Sequence, residues 1–138
     1  MKHLNKVSFQ IRKAIFEVNN NLGSGLNESV YEEALIMELK SMGLKVERQV
    51  ELPVIYKGTY LQKKFIVDLI IDGMLIVEIK SVEKISDIHK SQLLNYLKLS
   101  GIKLGILVNF NTNFIKDNID IFRIINSQIE VNNVFRSI

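Results

Sequence analysis

The chain has 138 residues, 47% of them hydrophobic and 24% charged, with a formal net charge of +3. That is enough apolar material for one compact domain with a core, and the charge suits an anionic partner without the strong basicity of a chain built to coat one. Cysteine is absent, which excludes disulfides, zinc knuckles and cysteine-held iron–sulfur clusters and fits a reducing compartment.

The first residues lack the unbroken apolar core of a secretion signal, and no apolar run approaches the ~18 residues of a membrane span. The expectation is a soluble cytoplasmic protein with no membrane association. No Pro-, Gly- or Ser-rich linker and no repeat divides the chain, so residues 1–138 are read as a single domain.

Leu4, Val7, Ile11, Ala14, Ile15 and Val18 recur at helical spacing and predict an amphipathic helix over about residues 4–20. The run NNNLGSG ends it. A second helix is predicted from Asn27 to Met42, with Val30, Ala34, Leu35, Met37 and Leu39 as its apolar side and Gly43 as its stop. The period then changes to two. Val46, Val50, Leu52 and Val54 alternate with polar residues in a strand over about residues 45–56. Lys57-Gly58 is a turn, TYLQKKFIVDLII a second strand, Asp72-Gly73 a tight hairpin signal and MLIVEIK a third strand. Ser86 or Asp87 can cap a third helix that runs to Ser100 and stops at Gly101. KLGILVNF is continuously apolar, as a buried central strand should be. IDIFRII offers one more strand, and the last dozen residues carry no clear pattern. The order predicts an α/β domain: a mixed sheet flanked by helices, with a core over about residues 26–110, an extra N-terminal helix and a C-terminal extension over 111–138.

Asp68, Glu78 and Lys80 interrupt these aliphatic strands. Glu78 and Lys80 are two apart on a strand and share a face. Asp68 joins them or not according to the turn. A strict two-residue loop pairs Asp68 with Val77 and separates the acids, whereas a three-residue loop or one bulge clusters them. The clustered register also gathers Val67, Leu69, Ile71, Leu75, Val77 and Ile79 into one apolar face, so parity favours it. Two close carboxylates repel unless one is protonated or a cation joins them. On the residues alone, two readings stand: an Asp–Lys–Glu ion-pair set at a strand end, or oxygen ligands for a hard divalent ion such as Mg²⁺ or Mn²⁺ with a lysine beside it.

The spacing Asp68, nine residues, then Glu78-Ile79-Lys80 resembles the D-x(n)-E-x-K signature of the PD-(D/E)XK nuclease superfamily. The order of elements resembles its αβββαβ restriction-endonuclease-like core. Gly25 to Tyr31, GLNESVY, resembles the motif of the GxxExxY proteins within it, as do the stretches ESVYEEAL, ERQVELPVIYKG and QLLNYLKLSGIKLGILVNF. Val67 stands where the superfamily often has proline.

The resemblance implies a Mg²⁺- or Mn²⁺-dependent phosphodiesterase that uses metal-activated water on nucleic acid, DNA being favoured over RNA. It implies Glu28, Asp68, Glu78 and Lys80 as the catalytic set. The ion would take Asp68, Glu78 and the Ile79 carbonyl, with Glu28 and His89 as further candidate ligands. Gln92 and Tyr96, one turn apart on the third helix, resemble the Q-x-x-x-Y motif of RecB-like nucleases and would bind substrate, together with Tyr31. Each has a plainer alternative. Glu28 is also a helix N-terminal acid favoured by the macrodipole. Tyr31 can be ordinary core, His89 a cap, and Gln92 and Tyr96 a surface pair. Lys63, Lys64, Lys84, Lys90 and Lys98 can border a phosphate track or merely face solvent. The alternative function is a nucleic-acid-binding or accessory protein of nuclease fold that works as a homodimer or through a partner protein.

Overall fold

A computed structural model describes residues 2–127; the rest of the C-terminal extension expected over 111–138 lies outside the described residues. The elements run α1 (Lys2–Leu22), α2 (Glu28–Ser41), β1 (Val46–Tyr56), β2 (Thr59–Ile71), β3 (Leu75–Lys80), α3 (Asp87–Ser100), β4 (Leu104–Asn109) and β5 (Ile121–Ile125). They form one mixed sheet in the order β1-β2-β3-β4-β5. Neighbours are antiparallel except β3 and β4, which are parallel and joined by α3 as the crossover.

β3 and β4 read as aliphatic runs because both faces of the sheet are covered there. On one face, Val7, Ile11 and Ile15 of α1 and Leu35 and Leu39 of α2 pack with Leu69, Leu75, Val77, Ile106 and Val108. On the other, Leu93, Tyr96 and Leu97 of α3 pack with Ile70, Ile76 and Leu107. Gly105 lets α3 come close: a Cβ there would stand 2.8 Å from a Leu93 methyl. Arg12 clasps Asp117 through two hydrogen bonds of 2.6 and 3.0 Å, fastening α1 to the segment before β5.

The apolar side of α2 differs from the expected one. Val30 is exposed and Met37 is 70% exposed, whereas Tyr31, Leu35, Ile36 and Leu39 are buried. The four-residue steps from Tyr31 to Leu35 to Leu39 set the face, and a tyrosine takes the place given to valine.

The hairpin loop has three residues. Leu69 pairs with Val77, Ile70 with Ile76 and Ile71 with Leu75. Asp72 and Gly73 take φ of 52° and 66°, and the Met74 N–H donates to the Ile71 carbonyl at 3.0 Å. Asp72 tolerates that backbone because its Oδ1 accepts the Lys45 N–H at 2.8 Å. One part of the expected apolar face needs correction. Leu69, Ile71, Leu75, Val77 and Ile79 face α1 and α2, but Val67 packs with the α3 side. The alternation breaks around Asp68, where Gln49 of the neighbouring strand turns to a left-handed φ of 49° between the Arg48–Leu69 and Val50–Val67 pairs.

Candidate active site

The ladder between β2 and β3 ends at Leu69 and Val77. Beyond it, side chains replace main chain. The Asp68 N–H donates to Glu78 Oε2 at 2.7 Å, and the Ile79 N–H donates to Asp68 Oδ2 at 2.8 Å. The Lys80 ammonium, next along β3, donates to Gln92 Oε1 on α3 at 3.1 Å. Glu28 comes from the first turn of α2, and its Oε2 lies 3.4 Å from the Ser81 N–H. Asp68, Glu78, Lys80 and Glu28 are thus gathered at the point where two strands part.

Electrostatics follow from burial. Glu78 is 3% exposed. Burial first and the Asp68 charge second push its pKa up to about 8, against the pull of the Asp68 N–H and Lys80. Asp68 is also raised, by burial first and by Glu32 and Glu28, with the Ile79 N–H and Lys80 opposing. Tyr96 is raised by burial and then by the Glu78 and Asp68 charges. When both are ionised, two carboxylates in a poorly hydrated place hold more negative charge than one lysine offsets, a setting that either a proton or a divalent cation resolves. Among the described residues no three acidic or imidazole side chains are grouped to enclose an ion. The two carboxylates fit a hard ion that takes its remaining ligands from main-chain oxygen and water, as Mg²⁺ does.

A cleft of about 150 Å³ opens beside them, lined by Glu28, Ser29, Glu32, Gln49, Asp68 and Ile79. Glu32 and Gln49 escaped the sequence reading. Glu32 is buried, and its carboxylate accepts from Arg48 at 3.1 Å and from Gln49 Nε2 at 2.7 Å. Gln49 Nε2 also lies 3.5 Å from Asp68 Oδ1. The available signal was an acid one helical turn after Glu28, which shares its face.

Tyr31 is not placed to touch substrate. It is fully buried, stacks on Phe110 with ring centroids 4.7 Å apart, and donates its hydroxyl to the Gly23 carbonyl at 2.6 Å while accepting the Leu26 N–H at 3.2 Å. It locks the loop that delivers Glu28. His89 is used as a helix cap: its Nδ1 accepts the Ser86 N–H at 3.0 Å, so that nitrogen's lone pair is engaged by the helix start. Gln92 and Tyr96 do stand beside Lys80, and Gln92 hydrogen-bonds the Tyr96 hydroxyl. Of the five lysines, Lys64 pairs with Glu51 at 3.3 Å and Lys90 lies over the Phe122 ring at 4.3 Å. Lys63, Lys84 and Lys98 are exposed.

The loop after β3 is held by asparagines. Asn109 accepts the Val82 N–H at 3.1 Å and donates to the Val82 carbonyl at 2.9 Å, while Asn111 accepts the Gly25 N–H at 3.1 Å. These bonds tie the end of β4 to both segments that carry Glu28 and Lys80. A larger cavity, about 300 Å³, is lined by Arg12 and Asp117 among others, but those two charges are spent on each other.

Three acids and a lysine are thus gathered where two strands of the mixed sheet part, in a domain whose elements from α2 to β4 run αβββαβ. The sequence profile of the PD-(D/E)XK nuclease superfamily matches residues 5–123, and the chain belongs to that superfamily. Its members generally use divalent metals, typically Mg²⁺, on nucleic acid. No curated protein and no solved structure matches the chain. Among the described residues no helix is long and apolar enough to cross a membrane.

Proposed function

We propose that the protein is a Mg²⁺- or Mn²⁺-dependent phosphodiesterase that cuts DNA, with RNA as the second substrate class. The observation that carries the reading is a pair of main-chain bonds, in which Glu78 accepts the Asp68 N–H and Asp68 accepts the Ile79 N–H, with Lys80 two residues from Glu78. Asp68, Glu78 and the Ile79 carbonyl would hold the ion, whose chemistry when bound is activation of water and neutralisation of phosphoryl charge. Lys80, steered by Gln92, brings a positive charge to the oxygens that gain charge as phosphorus is attacked. Glu28 adds an acceptor from the side of α2. The GLNESVY segment supports placing the chain with the GxxExxY proteins: Gly25 takes a φ of 92°, Glu28 reaches the site and Tyr31 fixes the loop. Absence of cysteine suits work in the cytoplasm.

Cleavage of labelled DNA and RNA at low salt with Mg²⁺, Mn²⁺ or Ca²⁺ tests the reading. Turnover with Mg²⁺ or Mn²⁺ that is lost in Lys80→Ala supports it. Absence of cleavage with every ion counts against it.

A second reading, an accessory protein that acts as a homodimer or with a partner, is favoured by one feature. The far end of the β1–β2 hairpin exposes Ile55, Tyr56 and Tyr60, more apolar surface than a lone domain needs there.

A further inference from the structure

Next to Lys80, on the α3 side of the sheet, lies a notch of about 230 Å³ lined by Phe65, Ile88, Ser91, Gln92, Asn95 and Tyr96. Three observations bear on what it takes. Its walls are apolar and aromatic, with the Phe65 and Tyr96 rings 5.8 Å apart and tilted by 49°. Two of them are uncovered, Phe65 at 37% and Ile88 at 78% exposed, where folding alone would favour polar residues, while Tyr96 is 5% exposed. Its polar groups are amides and a hydroxyl from Gln92, Asn95 and Ser91, donors and acceptors without charge. Gln92 is shared with the Lys80 ammonium, so the notch is joined to the reaction centre through one side chain.

We infer that this notch receives one unstacked nucleobase of the strand whose phosphate lies at Lys80, so that the substrate is single-stranded or frayed nucleic acid. The inference rests on the phosphodiesterase reading and adds the substrate form to it. An aromatic and aliphatic slot with neutral amides at its rim suits the face and edge of a base, whereas a phosphate would call for cations at that spot. A base inside an intact duplex has its faces covered by stacking and cannot enter without leaving the helix. Charge complementarity points the same way. Lys63, exposed and two residues from Phe65 on β2, shares its face of the strand and lies on the path a backbone would take from the notch.

The test is fluorescence anisotropy at low salt with Ca²⁺, which favours binding over turnover, using a labelled single-stranded oligonucleotide and the blunt duplex of the same sequence. Proteins compared are the wild type, Phe65→Ala, Ile88→Glu and, as a control on the exposed side of α2, Met37→Ala. The wild type should prefer the single strand by about tenfold or more, the scale of one base–aromatic stack. Phe65→Ala and Ile88→Glu should lose that preference, and Met37→Ala should keep it. Ile88 is too exposed for its replacement to unfold the domain, so an unchanged melting temperature in Ile88→Glu ties its loss to the notch. A single abasic residue walked along the strand should weaken wild-type binding at one position and leave Phe65→Ala indifferent. Equal wild-type affinity for strand and duplex, or wild-type binding by both notch variants, overturns the inference. If Lys80-dependent cleavage persists in that case, the phosphodiesterase reading stands without the notch. If neither binding nor cleavage of any nucleic acid is seen, both fall.

Discussion

The Glu78 carboxylate accepts the main-chain N–H of Asp68 at 2.7 Å, and the Asp68 carboxylate accepts the N–H of Ile79 at 2.8 Å. Each acid therefore caps the strand opposite its own at the point where β2 and β3 stop pairing. The exchange satisfies the freed donors, which would otherwise cost stability when buried. It also forces two carboxylates into one poorly hydrated place, where burial raises both and the Asp68 charge raises Glu78 further.

Asp68→Asn and Glu78→Gln keep an oxygen for the N–H and remove the repulsion. In chelator both variants should melt at or above the wild-type temperature. Excess Mg²⁺ should raise the wild-type melting temperature and leave the variants unmoved, because an ion stabilises only the fold that binds it. At a hundredfold excess over Kd that gain is roughly 2.7 kcal/mol. A large loss of stability in chelator would instead identify the acids as ion-pair partners of Lys80.

The pH dependence has a definite sign. The Glu78 carboxyl is raised from 4.5 to about 8 in the fold, so the native state holds its proton more tightly than the unfolded chain. This contribution is fully present below the ordinary carboxyl range and is lost as pH rises through about 8. Metal-free protein should lose melting temperature across that window, and Glu78→Gln should flatten the slope. Mg²⁺ competes with the same proton, so its apparent affinity should rise with pH over the same range. Thermal melts and calorimetry across the window measure both; a flat wild-type profile in chelator contradicts the assignment.

The parts of this molecule that repeat at short period were legible in the sequence. Alternation and the turn residues located β1 to β3, a continuous apolar run located β4, and parity favoured the register that clusters Asp68 with Glu78, which the three-residue loop provides. What could not be read depends on contacts distant along the chain. Val67 changes faces because Gln49 of a neighbouring strand is kinked. Glu32 looks like one more surface acid until Arg48 and Gln49 fold over it. Tyr31 is equally plausible as a site or core residue in a helix pattern, and Gly23 and Phe110 decide it. Asn109 and Asn111 look like turn residues but hold the loop after Lys80.

Tyr31→Phe isolates the loop lock. The ring and its stack on Phe110 remain, while the Gly23 carbonyl loses its donor and the Leu26 N–H its acceptor. A loss of about 1–3 kcal/mol is expected for partners left without their bonds. Chemical denaturation should show it as a lower midpoint at unchanged slope. Cleavage should also fall at temperatures where the variant is folded, because the segment between Gly23 and Glu28 is no longer held in one place. Wild-type stability in this variant would mean that water replaces the hydroxyl without cost.

Lys80→Ala separates chemistry from binding. The lysine stands beside the two carboxylates without being an oxygen donor, so its loss should leave Mg²⁺ affinity intact or slightly higher, since a neighbouring positive charge is gone. The rate is a different matter. One charged group aimed at transition-state oxygens is worth roughly 10²–10³ in turnover. Gln92→Ala should show the complementary pattern. It removes the acceptor that holds the ammonium at 3.1 Å and the partner of the Tyr96 hydroxyl, so it should weaken nucleic-acid binding and lower the rate less than Lys80→Ala does. Calorimetry with Mg²⁺, anisotropy with Ca²⁺ and cleavage with Mg²⁺ on the same three proteins give all the terms. Loss of metal affinity in Lys80→Ala would show the lysine to be a structural counter-ion. Undiminished cleavage in that variant would place the chemistry at some other group.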